Sequence, residues 1–129
     1  MRLDQAMIFV NDLEGMTAFY RDVVGFRPNE ATRLADWVEF DANGLGFALH
    51  AIPLGGSPRA DVPSPAVPRE QQPCKLIFAV DDADGALARL EGLGVSILRR
   101  PWGGWDFVDP EGNVLGVRVV APGSRKSAT

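Results

Sequence analysis

Apolar and polar positions along the chain change period at regular intervals. Residues 3–10, LDQAMIFV, are apolar on both faces from Ala6 onward, the mark of a strand covered on both sides. After Asn11 and Asp12 the period becomes helical, with Leu13, Met16, Tyr20, Val23 and Val24 on one stripe. Asn11 and Asp12 suit the helix cap, Glu14 suits its positive first turn, and Gly25 suits its left-handed stop. A more polar strand over 26–33, interrupted by Pro28, comes next. A third strand over 34–41, a tight turn through Asn43-Gly44 and a fourth strand over 45–52 complete the run.

The second half repeats this order. A strand over 75–80 leads to the caps Asp81 and Asp82. The helix over 83–93 presents Ala83, Ala86, Leu87, Leu90 and Leu93 on one face, and Gly94 ends it. Strands over 95–99, 105–108 and 113–120 follow, separated by the aromatic loop Pro101-Trp102-Gly103-Gly104 and the turn Asp109-Pro110-Glu111-Gly112. Asp82 answers Asp12 at 82−12 = 70, Gly94 answers Gly25 at 94−25 = 69, and Asp109 answers Asp41 at 109−41 = 68. The chain is therefore two copies of one βαβββ module, over 1–52 and 74–120, and an α+β fold is predicted. Trp37 and Trp105 fall at matching positions of this repeat, so both are read as core packing. Residues 53–73 carry six prolines and read as an extended linker; a proline-rich ligand for other domains is the lesser reading. Residues 121–129 read as a flexible polar tail.

Composition narrows the function. A chain of 129 residues is one domain in size, and two modules this small are expected to share a core. The net charge of −4 argues against a nucleic-acid partner, which calls for a basic face. No apolar run is long enough to span a membrane and no signal-peptide pattern opens the chain, so no membrane partner is expected. The single cysteine, Cys74, excludes an internal disulfide and fits a reducing cytoplasm, where the protein is expected to reside.

The two modules, with FYRDVVGF closing the first helix and FVDPEGNVLGV closing the second copy, resemble the vicinal oxygen chelate superfamily. That family includes glyoxalase I, extradiol dioxygenases, fosfomycin-resistance and bleomycin-resistance proteins. The resemblance covers about residues 3–120. It implies a curved mixed sheet around a cup, helices outside, and a homodimer. It also implies a divalent metal, held by His or Gln early in each module and by Glu on each module's last strand. Those positions correspond here to Gln5, Lys75, Ala48 and Gly116. Only Gln5 is a usual ligand: Ala48 and Gly116 have no donor, and an ammonium has no lone pair to offer. Neither a metal nor another cofactor is therefore expected.

Strand alternation places Met7, Phe9, His50, Ile77, Ala79, Val114 and Arg118 on the same faces as these four positions. An apolar floor with Gln5, His50, Lys75 and Arg118 has the form of a small-molecule site, and its two cations suit an anionic ligand. Taken singly, each has a simpler reading: a structural histidine, two cations at strand ends lying over apolar surface in water, or Arg118 paired with Glu39 or Asp106 to close the sheet. Together they point to binding, and Gln5, Phe9, His50, Lys75, Trp102 and Arg118 are the candidate ligand-binding residues. Asp109-Pro110-Glu111-Gly112 reads as turn chemistry rather than an acid–base pair. Three functions stay open. The first is a metal-free small-molecule binder of the bleomycin-resistance type. The second is a lyase, isomerase or dioxygenase-like enzyme using His50, Lys75 or a metal site rebuilt from Gln5, His50 and a carboxylate such as Glu39, and the third is a regulatory or structural dimer with a vestigial cup.

Overall fold

The computed structural model describes residues 1–52 and 66–120. Residues 53–65 of the predicted linker, and the predicted tail, lie outside the described residues. The chain divides into two compact units, Met1–Val67 and Pro68–Thr129.

The first unit runs β1 (Gln5–Val10), α1 (Leu13–Phe19), β2 (Arg27–Pro28), β3 (Trp37–Ala42) and β4 (Leu45–Ala51). Asp12 caps α1, its carboxylate accepting from the Gly15 backbone N–H at 3.0 Å. Helical winding continues past Phe19 as a wide π turn over Tyr20–Val24, closed by Gly25 at φ 92°. The polar strand expected over 26–33 shrinks to two residues. Pro28 has no N–H for a ladder, and the Asn29 side chain caps a 3-10 turn over Glu30–Thr32 by accepting from Ala31 N at 3.1 Å.

The sheet order is β1-β4-β3-β2, with β1 parallel to β4 and the other pairs antiparallel. Tyr20, fully buried, sets its ring 4.9 Å from that of Phe47 and 6.5 Å from that of Phe40. Phe47 and Leu49 alternate with Ala48 and His50 along β4, so α1 packs on the face opposite His50, as alternation predicts.

The second unit runs β5 (Ile77–Val80), α2 (Ala83–Gly92), β6 (Ile97–Arg99), β7 (Trp105–Val108) and β8 (Val114–Val119), in the order β5-β8-β7-β6. Again the first and last strands are parallel and the rest antiparallel. Asp82 caps α2, and the repeat extends to the glycine three residues on. A Cβ on Gly85 would lie 2.6 Å from Asp82 Oδ2, so each cap carboxylate folds over a residue without a side chain. Leu90, Phe107, Val108, Val114 and Leu115 are this unit's buried apolar residues among those described. The end of the proline-rich stretch is not free chain: Arg69 bridges to Asn113, and its guanidinium donates to the Glu111 carbonyl at 2.8 Å.

One sequence reading needs correction. Glu39 stands opposite Ala48, whereas Asp106 stands opposite Gly116. The last strands are thus related by 116−48 = 68 and the preceding strands by 106−39 = 67, because the second turn holds one more residue. A one-residue slip exchanges the faces of a strand. Trp37 therefore shares a face with His50, while Trp105 shares one with Phe107 on the helix side. The two tryptophans are not equivalent, and Trp37 is not a core residue.

Candidate functional site

On the first sheet, β4 lies between β1 and β3, and three rows of side chains cross it away from the helix. They are Gln5–Gly46–Asp41, Met7–Ala48–Glu39 and Phe9–His50–Trp37. Gln5 Nε2 donates to Glu39 Oε2 at 2.9 Å, joining the two outer strands across the middle one. That span is open because Gly46 and Ala48 raise no long side chain beneath it, and Ala48 is 0% exposed. The Trp37 side chain, and after it the Gln5 amide, hold the Glu39 carboxyl below the usual carboxylate range. Partial burial opposes them and Thr32 adds to them.

In the next row the Phe9 and His50 rings lie 5.5 Å apart and tilted by 31°, and Trp37 stands edge-on to His50 at 5.6 Å and 71°. His50 Nε2 is 3.4 Å from Asp36 Oδ2. Phe9 is 58% exposed.

The second sheet repeats the crossing with different chemistry. Lys75 Nζ reaches Asp106 Oδ2 at 2.9 Å, over Gly116 of the middle strand. A Cβ on Gly116 would stand 3.2 Å from Lys75 Cε and 3.4 Å from Asp106 Oδ1, so the pair closes directly over this glycine. Arg100 adds a second cation, its Nε donating to Asp106 Oδ2 at 2.9 Å, and its two terminal nitrogens hold both Glu70 oxygens at 2.7 Å. The Glu70 bond, with that from Asp106, raises the Arg100 pKa, and the Arg100 bond lowers that of Glu70. Two cations and two carboxylates balance, so this group offers an anion no net positive charge.

The structure thus brings Gln5, Phe9 and His50 together on the first sheet. Lys75 and Trp102 line an open cavity of about 550 Å³ on the second unit, with Ile77, Asp106 and Gly116. Trp102 is 78% exposed on its glycine-flanked loop. Arg118 stands apart from this network, exposed beside Ala79 and without an ion pair among the described residues. The pairings suggested for it fail: Glu39 is bound by Gln5, and Asp106 by Lys75 and Arg100.

Sequence reasoning missed Trp37, Arg100 and Asp106 as site residues, and named Glu39 only as a carboxylate for a rebuilt metal site. Alternation carried a signal for Arg100, which lies two residues beyond Leu98, the partner of Asp106. Asp106 was hidden by the ungapped repeat, which set it against Val38 instead of Glu39.

The four positions where the resemblance implies metal ligands do not fit a divalent ion. Two lack donors, one is an ammonium paired with a carboxylate, and the fourth, Gln5, gives its amide to Glu39. The rebuilt alternative does not assemble either. Gln5 and Glu39 meet, but His50 lies in the next row against Asp36, and no three His, Cys, Asp or Glu side chains converge among the described residues.

Comparison with known proteins agrees with this architecture. No curated protein matches the chain. Among solved structures, a lactoylglutathione lyase from Agrobacterium tumefaciens is 27% identical, with a TM-score of 0.63 over 92% of each chain. An integron cassette protein from the mobile metagenome of V. cholerae is 22% identical, with a TM-score of 0.67 over 94% of this chain and 96% of that one. An antibiotic binding protein from Streptomyces sp. CB03234 is 23% identical, with a TM-score of 0.61 over 94% and 97%. The family model of the Glyoxalase/Bleomycin resistance protein/Dioxygenase superfamily matches residues 2–117. That match takes in both βαβββ modules, and the chain belongs to the Glyoxalase/Bleomycin resistance protein/Dioxygenase superfamily.

Proposed function

We propose that this protein binds a small organic molecule without a metal, in the manner of the binding rather than the metal-dependent members of its superfamily. The observation that carries the reading is the pair of cross-strand bridges. Gln5–Glu39 and Lys75–Asp106 span the small residues Ala48 and Gly116, where the resemblance implies metal-binding carboxylates. Both bridges satisfy polar groups that a metal would otherwise need to recruit. The antibiotic binding protein among the structural relatives supports a binding role within the same fold.

The test is metal analysis of protein purified without chelator, beside Gln5→Ala, followed by calorimetric screening of metal-stripped protein against small organic ligands. The proposal expects substoichiometric metal, unchanged by the substitution, and ligand binding without metal. Stoichiometric metal lost in Gln5→Ala would overturn it. The contact between His50 and Asp36 favours metal-free acid–base catalysis as the second reading. Turnover abolished by His50→Ala with ligand affinity retained would move that reading ahead.

The proposal includes a homodimer in the cytoplasm. The edge strands β1 and β5 need covering, and a lone cysteine suits a reducing compartment. Sedimentation at the mass of a single chain at micromolar concentration would remove the dimer, and fractionation outside the cytoplasm would remove the location.

A further inference from the structure

We infer that the ligand bound on the first sheet is a flat aromatic cation, seated on Phe9 and His50, edged by Trp37 and drawn by the carboxylates of Glu39 and Asp36. This rests on the binding reading above and names the chemistry of its ligand.

The shape comes from three rings on three adjacent strands. The Phe9 and His50 ring centroids lie 5.5 Å apart with their planes inclined by 31°, and the Trp37 ring stands 5.6 Å from that of His50, inclined to it by 71°. Strands are spaced about 4.8 Å apart, so a platform crossing three of them is roughly 10 Å wide, the width of a few fused rings. Phe9 is 58% exposed and Met7, in the row behind it, 38%, which leaves apolar surface for such a molecule to cover.

The charge comes from the same rows. Glu39 lies in the row behind the rings, and Asp36 lies beside His50. The three rows contain no lysine or arginine; Arg27, on the neighbouring edge strand, is paired with Asp41 at 3.5 Å. Gln5 and Trp37 keep Glu39 ionised without neutralising it, because both are uncharged donors. Aromatic faces also attract cations. A cationic ligand departs from the anion expected from Lys75 and Arg118: Lys75 faces Asp106, and neither cation belongs to the three rows of the first sheet.

Proflavine, a planar cation, and anthraquinone-2-sulfonate, a planar anion, are suitable probes for calorimetric titration of the full chain. Proflavine should bind and the sulfonate should not. Glu39→Gln should weaken proflavine about tenfold, the scale of one charge contact in a partly exposed site. Glu14→Gln, which changes the net charge equally but lies in the first turn of α1, should leave affinity unchanged. Phe9→Ala, at an exposed position whose loss the fold tolerates, should weaken proflavine by a similar factor. Equal losses in Glu39→Gln and Glu14→Gln would reduce the effect to bulk charge and overturn the inference. Preference for the sulfonate, or no binding of proflavine, would also overturn it. The binding reading itself is judged separately, by the metal analysis and by the wider ligand screen of metal-stripped protein, and a failure with proflavine alone leaves it standing.

Discussion

Ala48 is where the metal-free reading can be tested most sharply. It is fully buried beneath the Gln5–Glu39 bridge, with Met7 and Glu39 as its cross-strand neighbours. Ala48→Glu introduces a long side chain where the structure leaves room for a methyl group. Overpacking of a filled site costs about 1–3 kcal/mol. The new carboxylate also faces Glu39 at the distance of directly opposed strand residues, about 5 Å. At an effective dielectric between 20 and 80, that repulsion adds about 1–3 kcal/mol. Relief by swinging into solvent discounts the sum, and a net loss of about 2 kcal/mol is expected in chelator. Urea unfolding followed by tryptophan fluorescence measures it. The same substitution places two carboxylates beside the Gln5 carbonyl oxygen, a donor set that accepts a divalent ion. Added Mn or Zn should therefore restore stability to the variant, by about 2.7 kcal/mol when metal stands at a hundred times its dissociation constant. The unsubstituted protein should gain nothing comparable. Equal stabilisation of both proteins by metal, or no cost in chelator, would refute the argument that the bridge occupies the place of a ligand.

Two further outcomes follow from local geometry. Gly85→Ala should cost about 1 kcal/mol in thermal or urea unfolding, because its Cβ would displace the Asp82 carboxylate that accepts from Asp84 N at 3.1 Å. Glu39 is held below the usual carboxylate range when folded. Its stabilising contribution is therefore complete above the unfolded value of a glutamate and is lost as pH falls through the lower folded value. Glu39→Gln should flatten that part of the acid unfolding curve, read as midpoint urea concentration against pH; an unchanged slope would contradict the role given to Trp37 and Gln5.

The sequence by itself determined what is local. Strand alternation placed Gln5, Phe9 and His50 on one face and Phe47 and Leu49 on the other, because a side-chain period of two needs no knowledge of the neighbouring strand. Asp12, Asp82, Gly25 and Gly94 marked both helices by cap chemistry within a turn of their ends. The missing donors at Ala48 and Gly116 were equally plain. Tertiary structure decided what depends on register and on distant pairs. One extra residue in the second turn moved Trp105 to the helix side and brought Asp106 to the position of Glu39, and turn length is invisible to an ungapped repeat. The Arg100–Glu70 and Gln5–Glu39 bonds join residues 30 and 34 positions apart, where no periodicity links them. Asp106 consumes the charge of Lys75, while the uncharged Gln5 amide leaves that of Glu39 standing, so the electrostatic character of each face was fixed by partners that only the folded chain brings together.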